Sequence, residues 1–209
     1  LNKTLNRTEA DRKQKLPANF ENNLSEIRDA LIGMGTMPYL SGGTLLGWYR
    51  ECSIIPHTLD ADFAVSKQDY RSDMEDHLKS LPGYRLYRRL GREFDSLEFT
   101  LHPVGGGSID IFIVYDEDDD RVYTHGLDSP TGKRVKWILP RPKGFCSGIL
   151  RGKLFFVPCN IEETIVAAYG ITWAVDHPTS RFNWMKSSQN AVEFGSFTKE
   201  EMKKYHIIY

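Results

Sequence analysis

Hydrophobic residues near the start of the chain recur at the spacing of an α-helix. Leu24, Ile27, Leu31 and Ile32 stand at positions i, i+3, i+7 and i+8, which places them on one helical face. Two glycines, at positions 33 and 35, favour the end of this helix. Residues 1–20 are polar and lack a sustained apolar period, so they are predicted to form a flexible lead-in.

The remaining hydrophobic pattern mostly has the period of two that is typical of β-strands. Residues 60–65 alternate as a strand should, and residues 109–115 form the strongest strand pattern. Further strands are predicted at 84–90, 94–101, 121–124, 135–139 and 154–157. Helices are predicted at 44–51, 68–80, 161–169 and from residue 198. This order predicts an α+β fold, a mixed β-sheet flanked by helices, in one domain over residues 21–209.

Two of these helices begin with a capping residue that is followed three positions later by a glutamate. Asn160 precedes Glu163, and Thr198 precedes Glu201. In such a pair each side chain accepts a hydrogen bond from the backbone N–H of the other residue. Both pairs therefore predict a capped helix start.

Composition and charge limit the classes of protein to which the chain can belong. Its 209 residues are 40% hydrophobic and 26% charged, which is ordinary for a soluble globular domain. The formal net charge of −1 argues against a nucleic-acid partner, because nucleic-acid-binding domains are usually basic. No segment approaches the roughly 18 apolar residues of a membrane span. This composition is compatible with a membrane anchor that precedes Leu1, outside this chain.

Cysteines and glycosylation sequons bear on the compartment. No C-x-x-C pair occurs, which argues against the usual structural zinc site. The three cysteines would leave one thiol free if two of them paired; they are Cys52, Cys146 and Cys159. Three N-x-[ST] sequons lie within the first 25 residues and begin at Asn2, Asn6 and Asn23. Their clustering favours the lumen of the secretory pathway over chance occurrence in a polar segment.

Three acidic residues lie on predicted strands where a metal ion could bind. Asp60 and Asp62 are two apart on one strand, so they share a face at about 7 Å along the backbone. Asp110 lies between two isoleucines of the most hydrophobic strand, where a carboxylate is costly unless it is paired or bound to a metal. Carboxylate oxygens suit a hard cation such as Mg²⁺ or Mn²⁺. A salt bridge to a nearby arginine is the alternative for Asp110.

A glycine-rich turn precedes these acids. Gly42, Gly43 and Thr44 stand directly before a predicted helix, where small residues allow backbone N–H groups to approach an anion closely. After such a turn, two acids lie on one strand and a third lies on a neighbouring strand. This is the layout of the nucleotidyltransferase palm, so the predicted mixed β-sheet is nucleotidyltransferase-like. In that palm, metal ions neutralise charge on phosphate oxygens.

The motifs around these residues resemble the LicD/fukutin-related family of phospho-group transferases. The resemblance begins with the segment LSGGTLLGWYR at 40–50, continues through Ile54-Ile55-Pro56 and Asp60-Ala61-Asp62, and covers residues 38–175 approximately. Further similar segments follow at 95–98, 110–115, 131–133, 157–159 and 169–173. All three cysteines lie within the range that the resemblance covers.

This resemblance implies a transferase that moves a phospho-alditol, such as ribitol phosphate, or a phosphocholine unit. The implied donor is CDP-linked, the acceptor is a hydroxyl of a glycan or glycoprotein, CMP is released, and the location is the Golgi lumen. It also implies that Asp60 and Asp62 bind metal, that Asp110 is a ligand or general base, and that residues 42–44 line a phosphate loop. Thr58 stands where many members of the family carry a further acid, which leaves the number of metal ions open.

Several basic side chains are further candidates for contacts with substrate. Arg50 and Lys133 could reach a donor phosphate, although a helix end and a hairpin turn explain them equally simply. Arg88, Arg89 and Arg92 could form a patch for a phosphate or an acidic acceptor. A charge run of this kind is more often a solvated face.

Two other functions remain as alternatives. A catalytically silent homologue could bind glycans, but it would have no need to keep three costly acids. A nucleotidyltransferase acting on a nucleoside triphosphate would share the same palm and release pyrophosphate. Product analysis distinguishes the latter from a CDP-dependent transferase.

Overall fold

Helices and strands alternate through the first half of the chain, and strands dominate the middle. The computed structural model describes residue 5 and residues 7–209. Its α-helices, in chain order, are α1 (Glu9–Arg12), α2 (Phe20–Gly33), α3 (Gly42–Glu51), α4 (Met74–Ser80), α5 (Ile161–Tyr169) and α6 (Lys199–Tyr205). Among the described residues, no helix combines the length and the apolar character that crossing a bilayer requires.

Eleven strands join into one mixed sheet within the described part of the chain. They are β1 (Tyr39–Leu40), β2 (Asp60–Ser66), β3 (Tyr84–Leu90), β4 (Glu98–Pro103), β5 (Ser108–Asp116), β6 (Arg121–Asp128), β7 (Lys133–Pro140), β8 (Phe145–Leu150), β9 (Lys153–Pro158), β10 (Ala191–Ser196) and β11 (His206–Ile208). The main order is β11-β3-β4-β5-β2-β1-β9-β8, and β6, β7 and β10 extend it from the end of β5. The predicted α+β fold is confirmed.

The central strands β2 and β5 run parallel and separate a hydrophobic side from a polar side. Along β2, Ala61, Phe63 and Val65 are buried in the main core, which also contains the apolar face of α2. Asp60 and Asp62 alternate with them and line a pocket on the other side of the sheet. The alternation of residues along β2 therefore places its hydrophobic side chains in the core and its two aspartates in the pocket.

Several predicted boundaries shift in the structure. The predicted helix 68–80 begins only at Met74, after a series of turns. The predicted strand 94–101 begins at Glu98, because residues 92–96 form a turn in which the Ser96 N–H donates to the Arg92 carbonyl at 2.9 Å. Strands β8, β10 and β11 carry no clear sequence pattern and were not predicted.

The described part of the first 20 residues packs against the rest of the domain. Leu16 is buried in the main core, and the Arg7 side chain is 7% exposed within a group of ion pairs. Leu16 and Arg7 thus contact parts of the chain that are distant in sequence, and the flexible lead-in over residues 1–20 stays a prediction. The sequons at Asn2 and Asn6 lie outside the described residues, whereas Asn23 lies within α2.

Two of the three cysteines form a disulfide. Cys146 on β8 is bonded to Cys159, which directly follows the antiparallel partner strand β9. Cys52 is exposed and outside any disulfide of the described residues. A disulfide is typical of an oxidising compartment.

Candidate active site

The three predicted acids meet on neighbouring strands. Asp62 of β2 is the direct cross-strand partner of Asp110 of β5, and Asp60 lies two residues before Asp62 on the same face. One carboxylate oxygen from each residue lies within 4.8 Å of the others. These three residues are called the acid cluster below. Three oxygen ligands at this separation can hold one hard divalent cation.

The glycine turn closes over the acid cluster. Helix α3 begins at Gly42, two residues earlier than predicted. The Gly43 N–H donates to Asp62 Oδ2 at 3.1 Å, and the Asp62 N–H donates to Thr44 Oγ1 at 2.8 Å. Gly42 has φ +51°, and a Cβ there would come within 2.6 Å of Asp62 Oδ2. The turn therefore positions Asp62, and its proposed contact with a substrate phosphate stays a prediction.

Burial and repulsion between neighbouring carboxylates make the ionisation of Asp62 and Asp110 costly. The pKa of Asp62 is raised well above its usual value by burial, and further by the charges of Asp60 and Asp110. Burial raises the pKa of Asp110 to about 6, although hydrogen bonding from Thr100 and the charge of Arg88 oppose the rise. A divalent cation would offset this repulsion, so the donor set fits a metal ion.

A further buried carboxyl lies beside the acid cluster. Glu98 of β4 is 4% exposed and accepts a hydrogen bond from Arg88 Nη2 at 3.0 Å. Burial and the charge of Asp110 raise the pKa of Glu98 to about 8, while Arg88 lowers it. Sequence reasoning assigned no role to Glu98, although this residue lies within the predicted strand 94–101 and ends the similar segment 95–98.

The acid cluster lies in a cavity of about 760 Å³, which is called the pocket below. Helices α3 and α5, strands β6 and β7 and the segment 170–190 contribute its walls. Trp137 and Trp184 meet at 65° with ring centroids 5.6 Å apart. A Cβ on Gly126 would come within 2.8 Å of both indoles, so glycine is required beneath this pair. A cavity of this size can admit a nucleotide-sized ligand.

A second group of charges borders the pocket and joins distant parts of the chain. The Asp176 carboxylate accepts hydrogen bonds from Arg7 at 2.8 and 2.9 Å and from Arg50 at 2.6 Å. It also lies 2.8 Å from His57 Nε2. Glu51 accepts two more bonds from Arg7, at 2.6 and 2.7 Å. These five residues are called the ionic cluster below.

Neighbouring cations strongly favour the ionised form of Asp176. Burial alone would raise its pKa, but hydrogen bonds from Arg7 and His57 and the charges of Arg50 and Arg7 lower it to about 2. Sequence reasoning missed Asp176 and Arg7, which are 169 positions apart. No local signal marks such a pair.

The predicted basic candidates separate into two groups. Arg50 and Arg88 line the pocket. Arg89 instead forms an ion pair with Glu75 of α4, and Arg92 forms one with Asp95. Lys133 is exposed at the start of β7 and is not among the residues that line the pocket. The structure therefore does not bring the three arginines at 88, 89 and 92 together as one patch.

Thr58, noted where related sequences carry another acid, contacts the acid cluster. Its hydroxyl donates to Asp60 Oδ1 at 2.8 Å. On the other side of the cluster, the Thr100 hydroxyl donates to Asp110 Oδ1 at 2.5 Å. Neutral hydroxyl groups thus orient two of the three carboxylates.

Comparisons with known proteins show which sequences this chain resembles. A family model described as LicD/FKTN/FKRP, nucleotidyltransferase domain, matches residues 36–160. An uncharacterized protein of Caenorhabditis elegans is 39% identical over 207 residues, which are 96% of this chain and 54% of that protein. Human ribitol-5-phosphate transferase FKTN is 34% identical over 157 residues, which are 75% of this chain and 33% of the human protein. The chain therefore spans about half the length of the first relative and a third of the second.

Proposed function

The chain belongs to the LicD/FKTN/FKRP nucleotidyltransferase family, and from this premise we propose that it is a metal-dependent transferase. It moves a phospho-alditol such as ribitol phosphate, or a phosphocholine unit, from a CDP-linked donor to a hydroxyl of a glycan or glycoprotein. The observation that carries the proposal is the acid cluster inside the pocket.

The proposed cofactor is Mg²⁺ or Mn²⁺, held by Asp60, Asp62 and Asp110. The fit rests on three crowded carboxylates, and burial opposes the ionisation of two of them, Asp62 and Asp110. Their oxygen chemistry favours a hard cation over a softer metal, which prefers nitrogen or sulfur ligands. When bound, the cation neutralises negative charge on the phosphate groups.

The proposed reaction is a displacement at the distal phosphorus of the donor. The acceptor hydroxyl oxygen forms a bond to that phosphorus, the bridging bond to the cytidine phosphate breaks, and CMP leaves. The hydroxyl proton passes to a carboxylate, and we assign this role to Asp110. The chain contributes mainly by fixing the reacting groups and by arranging charge, since phosphoryl transfer requires little covalent chemistry from the protein.

The proposed location is the lumen of the secretory pathway, in the Golgi. The disulfide between Cys146 and Cys159 supports an oxidising compartment. The similarity to ribitol-5-phosphate transferase FKTN supports a role in glycosylation.

Incubation of the chain with Mn²⁺ or Mg²⁺ and CDP-ribitol, CDP-glycerol or CDP-choline tests the proposal. We expect CMP release from at least one donor when a glycan acceptor is present, and no release in EDTA. The variant Asp60→Asn should abolish release, whereas Asp76→Asn, which alters an exposed acid of α4, should not.

The products also separate the alternatives. Pyrophosphate release from CTP, with no CMP release from any CDP-linked donor, would identify a nucleotidyltransferase instead. Full turnover by a correctly folded Asp60→Asn variant would refute the assigned role of the acid cluster.

A further inference from the structure

Four residues on four neighbouring strands form one row across the sheet. Arg88 of β3 pairs with Thr100 of β4, and Thr100 pairs with Asp110 of β5. Asp110 in turn pairs with Asp62 of β2. Directly paired residues direct their side chains to the same face of a sheet. Arg88 therefore faces the pocket together with the acids.

Hydrogen bonds hold the Arg88 guanidinium at the end of this row. Arg88 Nε donates to Thr100 Oγ1 at 2.9 Å, and Nη2 donates to Glu98 Oε1 at 3.0 Å. Thr100 and Glu98 are 2% and 4% exposed, so the two residues that hold Arg88 are themselves buried. The Arg88 side chain itself is 31% exposed and lines the pocket.

The other basic candidates are engaged elsewhere. Arg89 is the next residue on β3, so it points to the opposite face, where it pairs with Glu75. Arg92 lies beyond the end of β3 and pairs with Asp95. Arg50 lines the pocket, but Glu51 and Asp176 share its guanidinium and its side chain is only 5% exposed, against 31% for Arg88. Arg88 thus combines a cationic group, a fixed orientation and access to the acid cluster.

We propose that Arg88 binds a phosphate group of the donor diphosphate beside the acid cluster. A guanidinium offers paired N–H donors that match phosphate oxygens. Its position in the same row as Asp62 and Asp110 places this positive charge next to the proposed metal ligands. The inference rests on the proposed function for the identity of the donor, and on the row of paired residues for the role of Arg88.

Binding measurements on the full chain test the inference independently of turnover. Pyrophosphate in dilute Mg²⁺ is the probe, and calorimetry gives its affinity. We expect Arg88→Gln, which keeps a polar side chain but removes the charge and the guanidinium donors, to weaken pyrophosphate binding roughly 10- to 100-fold. Arg88→Lys keeps the charge and should recover part of this loss. Arg89→Gln is the matched control from the opposite face and should bind as the wild type does.

The outcomes separate this inference from the proposed function. Unchanged pyrophosphate affinity in a folded Arg88→Gln variant, or no pyrophosphate binding by the wild type, would overturn the role of Arg88. Loss of binding in Arg88→Gln, combined with no CMP release by the wild type from CDP-linked donors, would support Arg88 and refute the proposed donor. A higher KM for the donor with a smaller change in kcat would support both.

Discussion

The acid cluster and the ionic cluster border the same pocket, but their charges are balanced differently. In the acid cluster, three carboxylates crowd together, and their hydrogen-bond partners are the neutral groups of Thr58, Thr100 and Gly43. In the ionic cluster, two carboxylates share two guanidinium groups and a histidine. Consistently, the pKa of Asp62 is raised while the pKa of Asp176 is lowered.

This difference distinguishes charges that stabilise the fold from charges that favour the binding of a cation. In the ionic cluster, each buried charge has a partner of opposite sign, so removal of one member leaves another uncompensated. In the acid cluster, the chain relieves the repulsion only in part, through the charge of Arg88, and the remainder costs folding free energy. The two clusters should therefore respond in opposite ways to neutral substitutions, to cations and to pH.

The largest expected effect is on turnover, from Asp62→Asn in the acid cluster. Because asparagine keeps the shape and an acceptor for the Gly43 N–H but lacks the charge, we expect activity to fall roughly 1,000-fold. The melting temperature without metal should stay equal or rise, since repulsion is removed. CMP release and thermal unfolding measured on the same sample check both parts. Loss of folding in this variant would contradict the conclusion that the charge of Asp62 does not stabilise the fold.

The next effect is on stability, from Asp176→Asn in the ionic cluster. Since Arg7 and Arg50 would lose a buried partner, we expect the free energy of unfolding to fall by about 3 kcal/mol. Denaturant unfolding measures this change. Glu200→Gln removes an exposed partner of Lys203 and should leave stability nearly unchanged. A stable Asp176→Asn protein would show that the ionic cluster does not support the fold.

Added metal should stabilise the chain through the acid cluster. At about 100 times its Kd, Mn²⁺ should add about 2.7 kcal/mol to the free energy of unfolding. We expect the resulting rise in melting temperature in the wild type and in Asp176→Asn, but not in Asp62→Asn. An equal rise in all three proteins would place the metal elsewhere.

The smallest effect is the dependence of stability on pH in EDTA. Asp110 has a raised pKa of about 6, so its destabilising charge is present above pH 6 and is relieved as pH falls from 6 toward 4. Asp176 has a lowered pKa of about 2, so its stabilising charge is lost as pH falls from about 4 through 2. Melting temperatures should therefore rise slightly from pH 7 to 5 and fall below pH 4. A steady fall from pH 7 would contradict this prediction.

The acid cluster could be predicted from the sequence because its determinants are local. The alternation along residues 60–65 assigns Asp60 and Asp62 to one face, and the apolar neighbours of Asp110 indicate a buried strand. The ionic cluster could not be predicted, because Arg7 and Asp176 meet only through the complete fold. For the same reason, nothing local distinguished Arg88 from Arg89 until the register of β3 was known.

The two predicted helix caps also show that contacts between distant parts of the chain limit prediction from sequence. Thr198 and Glu201 form the predicted reciprocal pair at the exposed start of α6. Asn160 makes no capping bond to its own helix. Its Oδ1 instead accepts the Lys143 N–H at 3.0 Å, and its amide group donates to the Arg141 carbonyl and to Glu163. A distant loop thus competes successfully for this side chain.

The parallel register of β2 and β5 has a consequence for how such a protein can change over evolutionary time. Backbone pairing at Asp62 and Asp110 fixes the spacing of the two carboxylates, independently of the side chains that form the pocket walls. Those walls come from other segments, including residues 170–190 and the tryptophans above Gly126. Substitutions in the walls can therefore alter which molecules are accepted while the spacing of the acids is inherited intact. We expect relatives with different substrates to differ mainly in these walls.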